Sequence, residues 1–177
     1  MKFTFTLRGM IYAAMLAALT AIGANLTIPL PLVPLTLQTF FVFLAGALLG
    51  ATHGGLSLII YVLLGLIGLP VFSRGQSGLG VLLGPTGGYL FGFIVAAFLI
   101  GILIDFKKNS GVIWMILAMS IGLLVIYACG VTQLYYTTQR TFAEAITVGA
   151  LRPLPGDIIK IFAAAIIAGK VRDKIKR

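Results

Sequence analysis

The reactive side chains of this sequence concentrate in Pro153-Leu-Pro-Gly-Asp157-Ile-Ile-Lys160. Pro155 suits the first turn of a helix, and Asp157 then stands near that helix's positive end. Asp157 and Lys160, three residues apart, share a helix face. They open an apolar run over residues 156–169, where a charge costs about 2.5–3.5 kcal/mol at mid-membrane and normally faces a cavity. One reading is an end-of-helix acid paired with a snorkelling lysine. The preferred reading is a polar patch in a solute pocket, the acid accepting N–H donors and the lysine donating to an oxygen or carboxylate.

A second stretch, residues 69–89, is rich in glycine yet mostly apolar, and it carries one cation, Arg74. Its spacing matches no phosphate-binding loop. A segment folded back against a bundle, exposing backbone donors to a ligand, fits it better than a plain connector. Residues 29–38, with three prolines, read as an extended segment closing the same face. Other candidates point away from catalysis. No Walker motif is present, so the chain does not itself hydrolyse ATP. His53 sits in a turn and reads as solvated, and Cys129 reads as a small buried hydrophobe. Ser57, Ser73, Ser77 and Ser120 have no evident base, and no cluster has metal-ligand spacing. The expectation is a non-enzyme without cofactor or metal. Tyr135, Tyr136 and Arg140 suit an interfacial anchor.

The elements that position these residues follow from composition. Of 177 residues 60% are hydrophobic and only 10% charged, with mean hydropathy +1.12. So much apolar surface cannot be hidden in a soluble globule of this length. The solvent is a lipid bilayer, and the net charge of +9 reads as membrane orientation rather than nucleic-acid binding. Apolar runs cover residues 10–24, 37–50, 56–68, 89–104, 112–131 and 156–169. The expected fold is an all-α integral membrane protein, a six-helix bundle forming one transmembrane domain over residues 1–177. The first run reads as a retained span, not a cleaved signal. Six spans put both termini on one side. On that side lie Lys2, Arg8, Lys107, Lys108, Lys170, Arg172, Lys174, Lys176 and Arg177; opposite lie Arg74, Arg140 and Arg152. Nine against three predicts both termini inside. The longer connections, residues 25–36, 69–88 and 132–155, then lie outside, which places the site toward the outer face.

Small residues recur at spacing four: Ala13, Ala17 and Ala21 in one row, Ala14 and Ala18 in another, and Gly46 with Gly50. Such rows let helices approach closely, within one bundle or against a partner.

Residues 28–39, Gly68-Leu-Pro-Val-Phe72, Gly84-Pro-Thr-Gly-Gly-Tyr89 and Pro155-Gly-Asp-Ile-Ile-Lys160 together resemble the BioY family, biotin-specific substrate-binding subunits of energy-coupling factor (ECF) transporters. The resemblance runs in order along nearly the whole chain. It implies a six-helix substrate-binding-subunit fold in the cytoplasmic membrane of a prokaryote, capturing biotin at the outer face. It also implies a transmembrane coupling subunit and two cytoplasmic ATPase subunits as partners, with self-association open. Asp157, Lys160, Arg74, Gln76, Phe72, Tyr89 and Thr86 become the expected substrate-binding residues, with Leu79 beside the ligand's apolar part. Ala13, Ala14, Ala17 and Ala18 become the expected docking row. Arg74 departs from the small or amide residue expected in its turn. It competes with Lys160 for the ligand carboxylate, and the residues leave open which end Lys160 meets. Alternatives are a subunit of this architecture for another vitamin and a ligand-free structural subunit.

Overall fold

The computed structural model describes residues 6–107 and 111–175, with the backbone alone at 173 and 174. Lys2, Lys108, Lys176, Arg177 and the Lys174 side chain from the basic inventory lie outside this description. The helices are α1 (Leu7–Asn25), α2 (Gln38–Leu66), α3 (Leu79–Leu83), α4 (Gly87–Phe106), α5 (Val112–Thr138), α6 (Phe142–Ile146) and α7 (Leu154–Ile175). The short strands β1 (Thr27–Ile28) and β2 (Leu35–Thr36) pair antiparallel, with Thr27 opposite Thr36. Thr6 caps α1, its Oγ1 accepting from Gly9 N at 3.1 Å, which satisfies one of the free donors of a helix start. Among the described residues four helices, α1, α2, α4 and α5, are long and apolar enough to cross a membrane.

Two of the expected apolar runs, 37–50 and 56–68, merge into α2. The expected connection at 51–55 is helical, and the break reduces to Gly50, whose φ of 74° and ψ of −173° are non-helical. A side chain is strained at that φ, and glycine is not. The chain doubles back there, because a Cβ on Gly54 would lie 2.7 Å from Ala45 O. Likewise α5 continues through Thr138, so the expected 132–155 connection shortens to α6 and a π-helical turn, Thr147–Leu151. Residues 69–88 hold a 3₁₀ turn at Ser73–Gly75 and the short α3.

Packing rests on close approach. At Gly101 of α4 a Cβ would collide with the Gly50–Ala51 backbone, and at Gly46 it would lie 2.6 Å from Ala97 O. The core between these helices is filled by Val42, Phe43, Leu58, Ile100, Met119 and Ile126, all fully buried. The two alanine rows separate. Ala13 and Ala17 are buried at 0% and 1% exposure, whereas Ala14 and Ala18 face outward. The expectation that all four residues dock a partner is corrected for Ala13 and Ala17, since their methyls are spent on packing within the chain. His53 is also corrected: it is half-buried, its ring against Gly9 of α1 at a spacing that leaves no room for a Cβ. Cys129 is only partly buried.

The hairpin of β1 and β2, the 67–86 segment and the 139–153 segment all lie at one end of the bundle. Tyr135 packs edge-on to Tyr136 and Phe142 at this end. At the other end Lys107 lies over the Trp114 ring at 5.0 Å, and Arg172 meets Asp105 at 2.8 Å. Gly101→Val is expected to cost about 1–3 kcal/mol by forcing α2 from α4, read as a lower thermal midpoint in detergent. Gly80→Val, at a position with no neighbour within 4 Å, leaves that midpoint unchanged.

Candidate functional site

A cavity, partly open to the outside, lies at the hairpin end of the bundle. Its walls come from the hairpin (Val33 to Thr36), from the start of α2 (Gln38, Thr39), from the 67–86 segment, and from α4, α5 and α7. Its floor is ionic. Pro153 and Pro155 lead into α7, and Asp157 N bonds back to Pro153 O at 3.1 Å, so Asp157 sits in the first turn with its carboxylate turned inward. Lys160 Nζ reaches Asp157 Oδ1 at 2.8 Å. Asp157 is 2% exposed and Lys160 9%.

Partners from other helices complete the pair. Thr39 Oγ1 donates to Asp157 Oδ1 at 2.7 Å, and the Tyr127 hydroxyl donates to Oδ2 at 2.6 Å. Lys160 also donates to Thr36 O at 2.5 Å and to Thr39 Oγ1 at 3.1 Å. A buried ion pair persists only when its remaining donors and acceptors are satisfied. Here α2, α5 and the hairpin strand β2 supply that satisfaction jointly. The two charges pair with each other, and both line the cavity.

The walls are seated in notches that a Cβ would fill. Phe72 packs edge-on to Tyr61 at 5.7 Å between centroids. A Cβ on Gly65 would collide with the Phe72 ring, and one on Gly130 with the ring of Tyr89. The Tyr89 hydroxyl donates to Gly149 O at 2.8 Å. Four residues beyond Gly149 stands Pro153, which has no N–H to offer that carbonyl. A polar chain braces the roof: Thr36 Oγ1 donates to Gln38 Oε1 at 2.9 Å, Gln38 Nε2 to the Tyr61 hydroxyl at 2.5 Å, and that hydroxyl to Val71 O at 3.1 Å. It ties the hairpin to the segment that carries Phe72.

Of the residues expected at the site, Phe72, Gln76, Thr86, Tyr89, Asp157 and Lys160 all line this cavity. Arg74 and Leu79 do not. Arg74 is exposed and donates from Nη2 to Leu30 O at 3.1 Å, and Leu79 is 63% exposed. Both lie on exposed stretches of the 67–86 segment. Missed by sequence reasoning were Tyr127, Thr39, Gln38 and Tyr61. Tyr61 and Tyr127 carry hydroxyls deep inside apolar runs, and a hydroxyl there needs a partner; that signal was available. Gln133 was missed as well: its Nε2 donates to Leu82 O and Gly84 O, both at 2.8 Å, fixing the end of α3 beside Thr86.

Among the described residues, no group of His, Cys, Asp and Glu could hold a metal ion. The arrangement can bind a small solute having an apolar body and N–H groups. Lys160→Met alone is expected to destabilise the protein by about 3–5 kcal/mol, because it leaves the Asp157 charge buried without its ion. Adding Asp157→Leu should recover most of that loss, measured by thermal or denaturant unfolding in micelles.

A family model described as the BioY family matches residues 1–177. The chain is 45% identical over 166 residues to a protein named biotin transporter BioY from Thermotoga maritima, covering 94% of this chain and 96% of that one. It is 42% identical over 168 residues to a probable biotin transporter BioY from Lysinibacillus sphaericus, covering 92% and 85%. Among solved structures it matches the S-component for biotin from an ECF-type ABC transporter, with TM-score 0.87, 27% identity, and coverage of 96% and 95%. With a family model over its full length and relatives this similar, the chain belongs to the BioY family.

Proposed function

We propose that this chain captures biotin and serves as the substrate-specificity subunit of an ECF-type transporter, without enzymatic activity of its own. The observation that carries the reading is the buried cluster of Thr39, Tyr127, Asp157 and Lys160 at the floor of an otherwise apolar cavity. The ureido ring of biotin carries two N–H donors. Asp157 accepts one and thereby discriminates against analogues that leave its carboxylate unpaired. Phe72, Tyr89 and Phe93 offer apolar surface to the thioether ring and chain, while Gln76 and Thr86 offer polar contacts. The names of the relatives and of the structural neighbour support the same solute.

The membrane reading has six crossings. The arms of α2 on either side of Gly50 each cross, together with α1, α4, α5 and α7. The arms are short of about 20 residues, so flanking residues complete them. The charge asymmetry in the sequence supports both termini inside and the cavity facing out, in the cytoplasmic membrane of a prokaryote. ATP hydrolysis belongs to two cytoplasmic partner subunits, linked through a transmembrane coupling subunit. The outward row of Ala14 and Ala18 on α1, flanked by the exposed Ile11, Met15 and Ile22, is the surface offered to that coupling subunit.

Equilibrium binding to purified protein is expected to saturate with biotin and to resist competition by thiamine or riboflavin. Binding of another vitamin, or of none, would overturn the reading. Asp157→Asn should weaken biotin binding by about 1–3 kcal/mol, the cost of a spoiled buried bond. Ala18→Phe should abolish co-purification with the coupling subunit and ATPases while biotin affinity stays at its wild-type value.

A further inference from the structure

Counting donors and acceptors distinguishes the two ends of the cavity, and the argument rests on the biotin reading above. An ammonium has three N–H donors. Those of Lys160 go to Thr36 O at 2.5 Å, Asp157 Oδ1 at 2.8 Å and Thr39 Oγ1 at 3.1 Å. None remains for a ligand, and Asp157 already neutralises the charge. What the floor retains is acceptor capacity. Among the described residues Asp157 Oδ2 accepts only from Tyr127, and a carboxylate oxygen has about two lone pairs. Such a floor favours an N–H donor and repels a second carboxylate.

The rim has the opposite character. Ser73 lines the cavity wall, and its buried Oγ has no hydrogen-bond partner among the described residues. Gln76 lines the same wall. Between them stands the exposed Arg74, held in the left-handed region at φ 62°. Its guanidinium has five donors, and one is spent on Leu30 O, at 3.1 Å, across to the hairpin. Donors and a positive charge are therefore available at the rim and absent at the floor.

We propose that the turn from Ser73 to Gln76 is the anion subsite, with Arg74 reading the carboxylate of biotin at the rim while the ureido N–H groups meet Asp157 below. A carboxylate held there also joins the 67–86 segment to the hairpin, since Arg74 already bridges the two. Charge-assisted bidentate bonds of this kind are roughly twice as strong as neutral ones.

The test compares biotin with biotinamide, its uncharged near-isostere, on wild-type protein and on Arg74→Gln and Arg74→Lys. Wild-type protein should hold the acid about tenfold more tightly than the amide, one charge-assisted bond's worth. Arg74→Gln should bring that ratio close to one by weakening the acid alone, and Arg74→Lys should restore part of it. On unmodified protein, acid affinity should fall with rising salt while amide affinity holds steady. A ratio that survives Arg74→Gln, or equal binding of acid and amide by the wild type, overturns the orientation and leaves the biotin reading standing. If the wild type binds neither compound, the biotin reading fails and takes this assignment with it.

Discussion

A carboxylate and an ammonium three residues apart on α7, both withdrawn from water, set the terms for the rest of this molecule. Their mutual attraction alone would not offset the loss of hydration. Stability comes from the hydroxyls of Thr39 and Tyr127 and the Thr36 carbonyl, which bind the pair from α2, from α5 and from the hairpin strand. Each of those elements must therefore come to α7 in one register. The ion pair acts as a keystone for the helices and as the polar floor of the cavity, so the cavity's polar lining and the fold share the same few atoms.

The apolar scaffold answers a different demand. Lipid gives no hydrophobic reward for joining helices, so contact depends on fit and on small residues. Gly46 and Gly101 bring α2 and α4 within backbone distance. Gly65 and Gly130 provide recesses for Phe72 and Tyr89, the aromatic walls. Dense packing at mid-bundle and vacant space near one end follow from one distribution of side-chain sizes. The brace from Thr36 through Gln38 and Tyr61 to Val71 O then holds the two roofing segments in step.

Much of this was legible in the residues. Pro155, Asp157 and Lys160 announced a charged helix start, and residues of the glycine-rich 69–89 stretch line the same cavity. Hydropathy marked where apolar helices run but not where they end: α5 gains a further turn and more beyond its apolar run, and Gly50 reverses the chain without a loop. Uniformly apolar helices also hide their facing, so Tyr61, Tyr127 and Thr39 escaped notice although their hydroxyls needed partners. The alanines of α1 show the same limit. Spacing of four put them in two rows, and only the angle at which α1 meets α2 decides that Ala13 and Ala17 turn inward while Ala14 and Ala18 turn out. Arg74 is a local case: Ser73 and Gln76 line the cavity, whereas Arg74, its backbone in the left-handed region, stands outside that lining and donates to Leu30 O across to the hairpin.

Phe93 and Ile126 line the cavity near its floor, while Ile100 and Met119, about two helical turns further along α4 and α5, are fully buried. Beneath the cavity there is consequently a plug of interlocked hydrocarbon rather than a conduit. Passage straight down the bundle axis would require the keystone and that plug to dissolve together.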